Sequence, residues 1–218
     1  MCFSAEADLV AGLVVGAVGI DALRHVRRPA ERALAALPLI FAGHQLVEAV
    51  VWRGLEGNAA EAVWRPALWT YLVIAFGVLP VLVPIAVAAA EPPGTRRALR
   101  PFAVVGAAVS LVLVHAIVRG PVEARIEGNH IDYRVDLWHG GLIVVLYVLA
   151  TCGSMLASAH HHVRWYGAVN LVVAGGLAWL SSTALISLWC AWAAITSVAI
   201  AVHLRAADPQ HRTTPLPT

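Results

Sequence analysis

Apolar blocks of about twenty residues recur along nearly the whole chain, separated by short polar or proline-bearing breaks. A helical run of that length just crosses the ~30 Å hydrocarbon core of a bilayer. The blocks are apolar around their circumference rather than along one stripe, a pattern that water does not favour in a surface helix. Of 218 residues, 60% are hydrophobic and only 13% charged. That charged share is about half of what a soluble domain carries, so lipid is the expected solvent. No polar stretch is long enough for a second, water-soluble domain.

The blocks predict seven helices, over about 8–25, 33–52, 66–90, 101–118, 138–158, 165–184 and 187–204. Breaks fall at R-R-P (27–29), E-P-P-G (91–94), R-G-P (119–121), H-H-H (160–162) and a short turn near 185–187. Pro101 suits a first-turn position, whereas Pro38, Pro80 and Pro84 lie within spans and are expected to kink them. The expected fold is all-α: one seven-transmembrane helix bundle over 1–204 and a disordered tail over 205–218. The acidic start M-C-F-S-A-E-A-D does not read as the basic n-region of a signal peptide.

Arginine placement predicts the orientation. Arg24, Arg27, Arg28 and Arg32 crowd the first connection, Arg96, Arg97 and Arg100 the third, Arg164 the fifth, and Arg205 and Arg212 the tail. The second and fourth connections balance arginine against carboxylates, and the sixth is uncharged. The positive excess alternates, which predicts an extracytoplasmic N-terminus and a cytoplasmic C-terminus. A net charge of only +2, with no basic groove, argues against nucleic acid as a partner.

Within this frame the unusual side chains gather by depth toward one side. His44 and Glu48 are four residues apart, hence on one face of the second helix. Counted from Trp52, Glu48 lies about 6 Å and His44 about 12 Å below the outer boundary. Cys2, His115, His139, Trp189 and Cys190 are expected at similar depth. The connection over 119–137 is the longest; V-E-A-R-I-E alternates like a strand and E-G-N-H signals a turn. It is expected to form a lid carrying His130, Asp132 and Tyr133.

A carboxylate at membrane depth costs roughly 3 kcal/mol unless partnered, which marks Glu48 as a functional candidate. The His44/Glu48 spacing fits a metal site, a proton relay, or polar contacts between helices. Cys2 and Cys190 fit either a disulfide staple or soft ligands for zinc or copper, with His139 a further candidate ligand. A haem held by His44 and His115 is another alternative; the chain has no C-x-x-C-H, so attachment would be non-covalent. Cys152, in the middle of the fifth span, reads as a packing residue, and the eight Trp as an aromatic belt.

M-C-F-S-A at 1–5, H-Q-L-V-E-A-V-V-W at 44–52, A-E-P at 90–92, G-N-H-I-D-Y at 128–133 and S-L-W-C-A-W-A-A-I-T-S at 187–197 occur together. In these motifs the chain resembles a family of uncharacterised bacterial integral membrane proteins known informally by their opening M-C-F-S-A. The resemblance implies a multi-pass protein of the bacterial cytoplasmic membrane and carries no established activity. It implies that Cys2, Gln45, Glu48, Trp52, His130, Tyr133, Trp189 and Cys190 belong to the family's pattern.

The expected function is therefore a membrane-embedded His/Glu/Cys site facing the extracytoplasmic side. It would bind zinc or copper, with Glu48 and His44 as catalytic candidates should it act on a lipid or small apolar substrate. Two alternatives stand beside it. One is a carrier or receptor for a small ligand with Glu48 as a protonatable switch. The other is a structural membrane subunit stapled through Cys2 and Cys190.

Overall fold

The computed structural model describes residues 4–26 and 28–180, together with 192, 194, 196 and 198. The protein is mostly helical. Helix α1 (Ala5–Arg24) leads through a tight turn at Pro29–Glu31 into α2 (Arg32–Leu55). Helix α3 (Glu61–Ala90) and helix α4 (Pro93–Arg119) follow, then strands β1 (Val122–Glu127) and β2 (His130–Val135). Helix α5 (Gly140–Leu156) and helix α6 (His161–Leu180) come next. Residues 192, 194, 196 and 198 are also helical.

Among the described residues, three helices are long and apolar enough to cross a membrane: Pro29–Leu55, Glu61–Ala90 and Pro93–Arg119. Helix α1 differs, because Glu6, Asp8, Asp21 and Arg24 all lie within its 20 residues. The expected turn near 185–187 lies outside the described residues. Helix α4 starts at Pro93 rather than at Pro101, which sits well inside it. The reason is capping. The Arg96 guanidinium donates to the carbonyls of Ala88, Ala89 and Glu91, closing the end of α3 while extending the start of α4.

Two apolar cores stack along the bundle. One gathers Val15 and Ala22 of α1, Leu34–Ala42 of α2, Leu79–Val87 of α3 and Leu99 of α4. The other gathers Ala5, Val51, Trp52, Tyr71, Val109, Ile117, Ile131 and Tyr133. Between them α2 contributes His44, Gln45 and Glu48, all fully buried. Asp8 of α1, also fully buried, falls in the same gap. A polar layer thus separates two apolar ones.

Helices α1 and α2 run antiparallel in close contact. A Cβ on Gly12 would lie 2.7 Å from Leu46, and one on Gly19 would lie 2.8 Å from the Leu39 backbone nitrogen. The glycines let the backbones approach as small residues do in membrane helix pairs. At the N-terminal end of α1, Glu6 pairs with Arg53 of α2. Asp8 therefore lies between the Gly12–Leu46 contact and this pair.

Helix α3 widens by one turn over Val73–Val78, just before Pro80. Proline has no N–H to donate, so the turn before it relaxes. Nearby carbonyls are taken by side chains: the Tyr147 hydroxyl donates to Ala75 at 2.8 Å and the Ser110 hydroxyl to Gly77 at 2.7 Å. At the far end of the bundle, buried Glu91 accepts from the Ser158 hydroxyl and from the Ala159 N–H, tying the α3–α4 break to the α5–α6 turn.

Strands β1 and β2 form an antiparallel hairpin, with Ala124 opposite Tyr133 and Ile126 opposite Ile131. The turn is Gly128–Asn129, and Gly128 has φ 59°, which favours glycine. Alternation sends Ile131, Tyr133 and Val135 toward the bundle and puts charged residues on the other face.

The α3–α4 contact makes a sharp prediction. A Cβ on Gly106 would stand 1.9 Å from the Pro80 carbonyl oxygen, which is backbone and cannot rotate away. Gly106→Ala is expected to cost about 2–3 kcal/mol as an overpacked contact. Gly43→Ala, with open space around its Cβ, is expected to be neutral or stabilising. Thermal unfolding in detergent compares the two.

Candidate functional site

The site is a circuit of side chains that starts and ends on α2. His44 Nε2 lies 3.2 Å from the Tyr71 carbonyl oxygen on α3. A carbonyl only accepts, so in the neutral ring Nε2 carries the proton and Nδ1 keeps its lone pair. The His44 ring stacks on the Tyr71 ring with centroids 3.9 Å apart and an interplanar angle of 21°. Tyr71 in turn stacks on Tyr133 of β2, with centroids 4.6 Å apart and an angle of 20°. The Tyr133 hydroxyl then donates to Glu48 Oε1 at 3.3 Å. Three rings and one carboxylate thereby join two helices and the hairpin.

Local sequence explains each placement. The i,i+4 spacing puts His44 and Glu48 on the same face of α2. Trp52, one further turn along, continues that stripe, and Gln45 lies beside it. Strand alternation delivers Tyr133 to the same face as buried Ile131.

Several of these groups leave hydrogen-bonding capacity unmatched. Among the described residues, His44 Nδ1, both amide atoms of Gln45, and Trp52 Nε1 are buried without a partner. In a protein interior such groups normally hold an ordered water, an ion or a ligand.

The hairpin's other face is an ion-pair cluster. Arg134 donates to Asp132 at 2.6 Å and to Glu127 at 2.9 Å. The adjacent Asp132 carboxylate, through its hydrogen bond, raises the already high pKa of Arg134. Asp132 is buried on this opposite face, pointing away from Tyr133, and His130 is half-buried one alternation away. Among the described residues, Asp132 Oδ1 and His130 Nε2 have no partner.

The expected site residues thus separate into three groups. His44, Gln45, Glu48 and Tyr133 come together. His115 and His139 do not join them: His115 is exposed on the outward side of α4 beside Leu111 and Val118. His139 is exposed at the start of α5, in a left-handed conformation (φ 57°), with its ring against Trp138. Cys2, Trp189 and Cys190 lie outside the described residues. Among the described residues, no three His, Cys, Asp or Glu side chains form a group able to hold a metal ion. Cys152 is buried, with a free thiol, beside Thr151.

Two members of the polar layer escape a sequence reading. Tyr71 lies in W-T-Y-L with no motif around it, and its role arises only from a ring on another helix. Asp8 carries a usable signal. Ala5, Asp8, Gly12, Val15, Gly19 and Ala22 follow one helical stripe, so the small-residue face passes through that carboxylate.

The Tyr133–Glu48 bond is open to a conservative test. Tyr133→Phe keeps the stacked ring and removes the donor, which is expected to cost about 1–3 kcal/mol. Hydrogen exchange of the β2 amides is expected to speed up in this variant. Unchanged protection would show that the bond does not hold the hairpin.

No curated protein and no solved structure matches this chain. The profile of one family, described as a family of unknown function (DUF6629), matches residues 1–214. The chain belongs to that family.

Proposed function

We propose that the chain is a seven-span protein of the bacterial cytoplasmic membrane whose polar layer binds a zinc or copper ion through His44 and Glu48. In this reading the N-terminus and the hairpin face the extracytoplasmic side and the C-terminus is cytoplasmic. Three long apolar helices and the alternating arginine excess support the membrane topology.

One observation carries the metal reading. His44 donates Nε2–H to a backbone carbonyl while its ring is clamped by stacking on Tyr71. Metal-ligating histidines are characteristically held this way, which fixes the tautomer and presents the other nitrogen. Here that nitrogen, Nδ1, is buried and unmatched among the described residues. Glu48, one turn on, supplies an oxygen donor steadied by Tyr133. Two ligands do not complete a zinc or copper sphere. Cys2, three residues before the buried Ala5, and Cys190 are the proposed soft ligands that complete it.

Elemental analysis of the purified protein tests this reading. Stoichiometric zinc or copper is expected in the wild type and is expected to be lost in His44→Ala, Glu48→Gln and Cys2→Ser. Metal-free wild-type preparations, isolated without chelator, would reject it.

A second reading rests on a different contact. Tyr133 seats the hairpin on Glu48, so the hairpin senses that carboxylate's charge. A hydrogen bond to an ionised carboxylate is about twice as strong as one to a neutral group. Glu48 would then be the switch of a small-ligand carrier or receptor, with protonation loosening the lid. Hairpin hydrogen exchange, corrected for intrinsic rates, should accelerate as pH falls in the wild type and lose that dependence in Glu48→Gln. An identical pH profile in the two proteins would remove this reading.

A further inference from the structure

We infer that the outward stripe of α4 seats an anionic phospholipid, with its acyl chains along Val104, Leu111 and Val118 and its phosphate at Arg97 and Arg100. The inference takes from the proposed function only that the helices stand in a membrane. It uses no residue of the polar layer and holds whether or not a metal binds.

Helix α4 buries little of itself. Of its 27 residues only Leu99, Gly106, Val109, Leu113 and Ile117 are buried. Gly106 meets the Pro80 carbonyl and Ser110 bonds to Gly77, so this side is turned to α3. The opposite side steps along one helical stripe from Arg97 and Arg100 through Val104, Ala108 and Leu111 to Val118, all of them exposed. Val104, Leu111 and Val118 are 69%, 73% and 70% exposed, a run of branched apolar side chains that the described residues leave uncovered. From Arg100 to Arg119 the helix rises about 28 Å. That is close to the ~30 Å of a hydrocarbon core, so the two arginines bracket a lipid-length stripe. His115 shares the stripe but lies one turn from Arg119, near enough for its ring to reach the interface.

Charge selects the headgroup. Elsewhere in the protein arginines meet carboxylates: Arg53 pairs with Glu6, Arg65 with Glu61, Arg125 with Glu123 and Arg134 with Asp132. Arg96, next to the stripe, is engaged by the α3 carbonyls. Arg97 and Arg100 are exposed and have no ion pair or hydrogen bond among the described residues. The first turn of α4 carries no carboxylate, and the positive end of the helix dipole lies beside them. Two guanidiniums in that field call for an anion from outside the chain. A phosphate diester matches the guanidinium fork. Clustered arginines at the mouth of a membrane helix recognise anionic headgroups in this way. A zwitterionic lipid brings its own cation and answers the charge less well. A soluble phosphate answers the charge but leaves the apolar stripe bare.

Native mass spectrometry of the full chain in detergent, with phosphatidylglycerol and phosphatidylcholine of matched acyl chains at equal concentration, tests the inference. Phosphatidylglycerol adducts are expected to exceed phosphatidylcholine adducts about fivefold or more, the worth of one or two arginines near a headgroup. Arg97→Gln combined with Arg100→Gln is expected to bring the two lipids near parity. Arg65→Gln, at the start of α3, is expected to keep the excess. Excess glycerol 3-phosphate is expected to displace neither lipid. Equal adducts of the two lipids on the wild type would overturn the inference without any variant. An undiminished excess in the Arg97/Arg100 double variant would overturn it as well. Displacement by glycerol 3-phosphate would assign the arginines to a soluble phosphate ester instead, and a wild-type dimer that takes up no lipid would assign the stripe to a second copy. None of these readouts depends on bound metal.

Discussion

A carboxylate placed between two apolar cores is the constraint around which this molecule is arranged. Glu48 is fully buried in a helix long and apolar enough to cross a membrane, and in such a helix an unpartnered charge costs roughly 3 kcal/mol or more. The Tyr133 hydroxyl meets part of that demand, from a residue 85 positions away in sequence. To reach Glu48, Tyr133 must be held in a strand, and the strand must fold back over the bundle. The stacked column of His44, Tyr71 and Tyr133 supplies that hold. Aromatic pairs of this kind add about 0.5–1.5 kcal/mol each beyond the area they bury.

The same economy appears where the helices depart from ideal geometry. The wide turn in α3 lies between Tyr71, which anchors the polar layer, and Pro80, whose carbonyl lies against Gly106. Backbone carbonyls near the turn meet hydroxyls from Tyr147 and Ser110. At the opposite end, Glu91 serves a structural purpose by capping the α5–α6 turn. Two buried glutamates therefore differ in kind. Glu91 is satisfied by backbone and a neighbouring serine, whereas His44 and Gln45 beside Glu48 keep polar atoms with no partner among the described residues.

Much of this was legible in the residues, for identifiable reasons. Apolar blocks announce helices because hydrophobicity is read along one dimension, and V-E-A-R-I-E followed by E-G-N-H announced the hairpin. The His44/Glu48 pairing needed only helical spacing. Azimuth was not legible. His115 shares the expected depth of the site, but it points outward with Leu111 and Val118, because depth says nothing about which side of α4 faces the bundle. The start of α4 was misplaced by eight residues because T-R-R-A-L-R reads as a polar break. It is helical since Arg96 folds back to cap α3. Asp8 is fully buried on the stripe of α1 that also holds Gly12 and Gly19, a burial that spacing along one helix does not reveal. Cys2 and Cys190, which the metal reading needs, lie outside the described residues.

The central claim is that the hairpin and the α2 carboxylate are energetically one unit. A double-mutant cycle combining Tyr133→Phe with Glu48→Gln measures that directly in detergent-solubilised protein. The account predicts a coupling of about 0.5–3 kcal/mol, the range for residues sharing a hydrogen bond. Strictly additive effects of the two substitutions would contradict it.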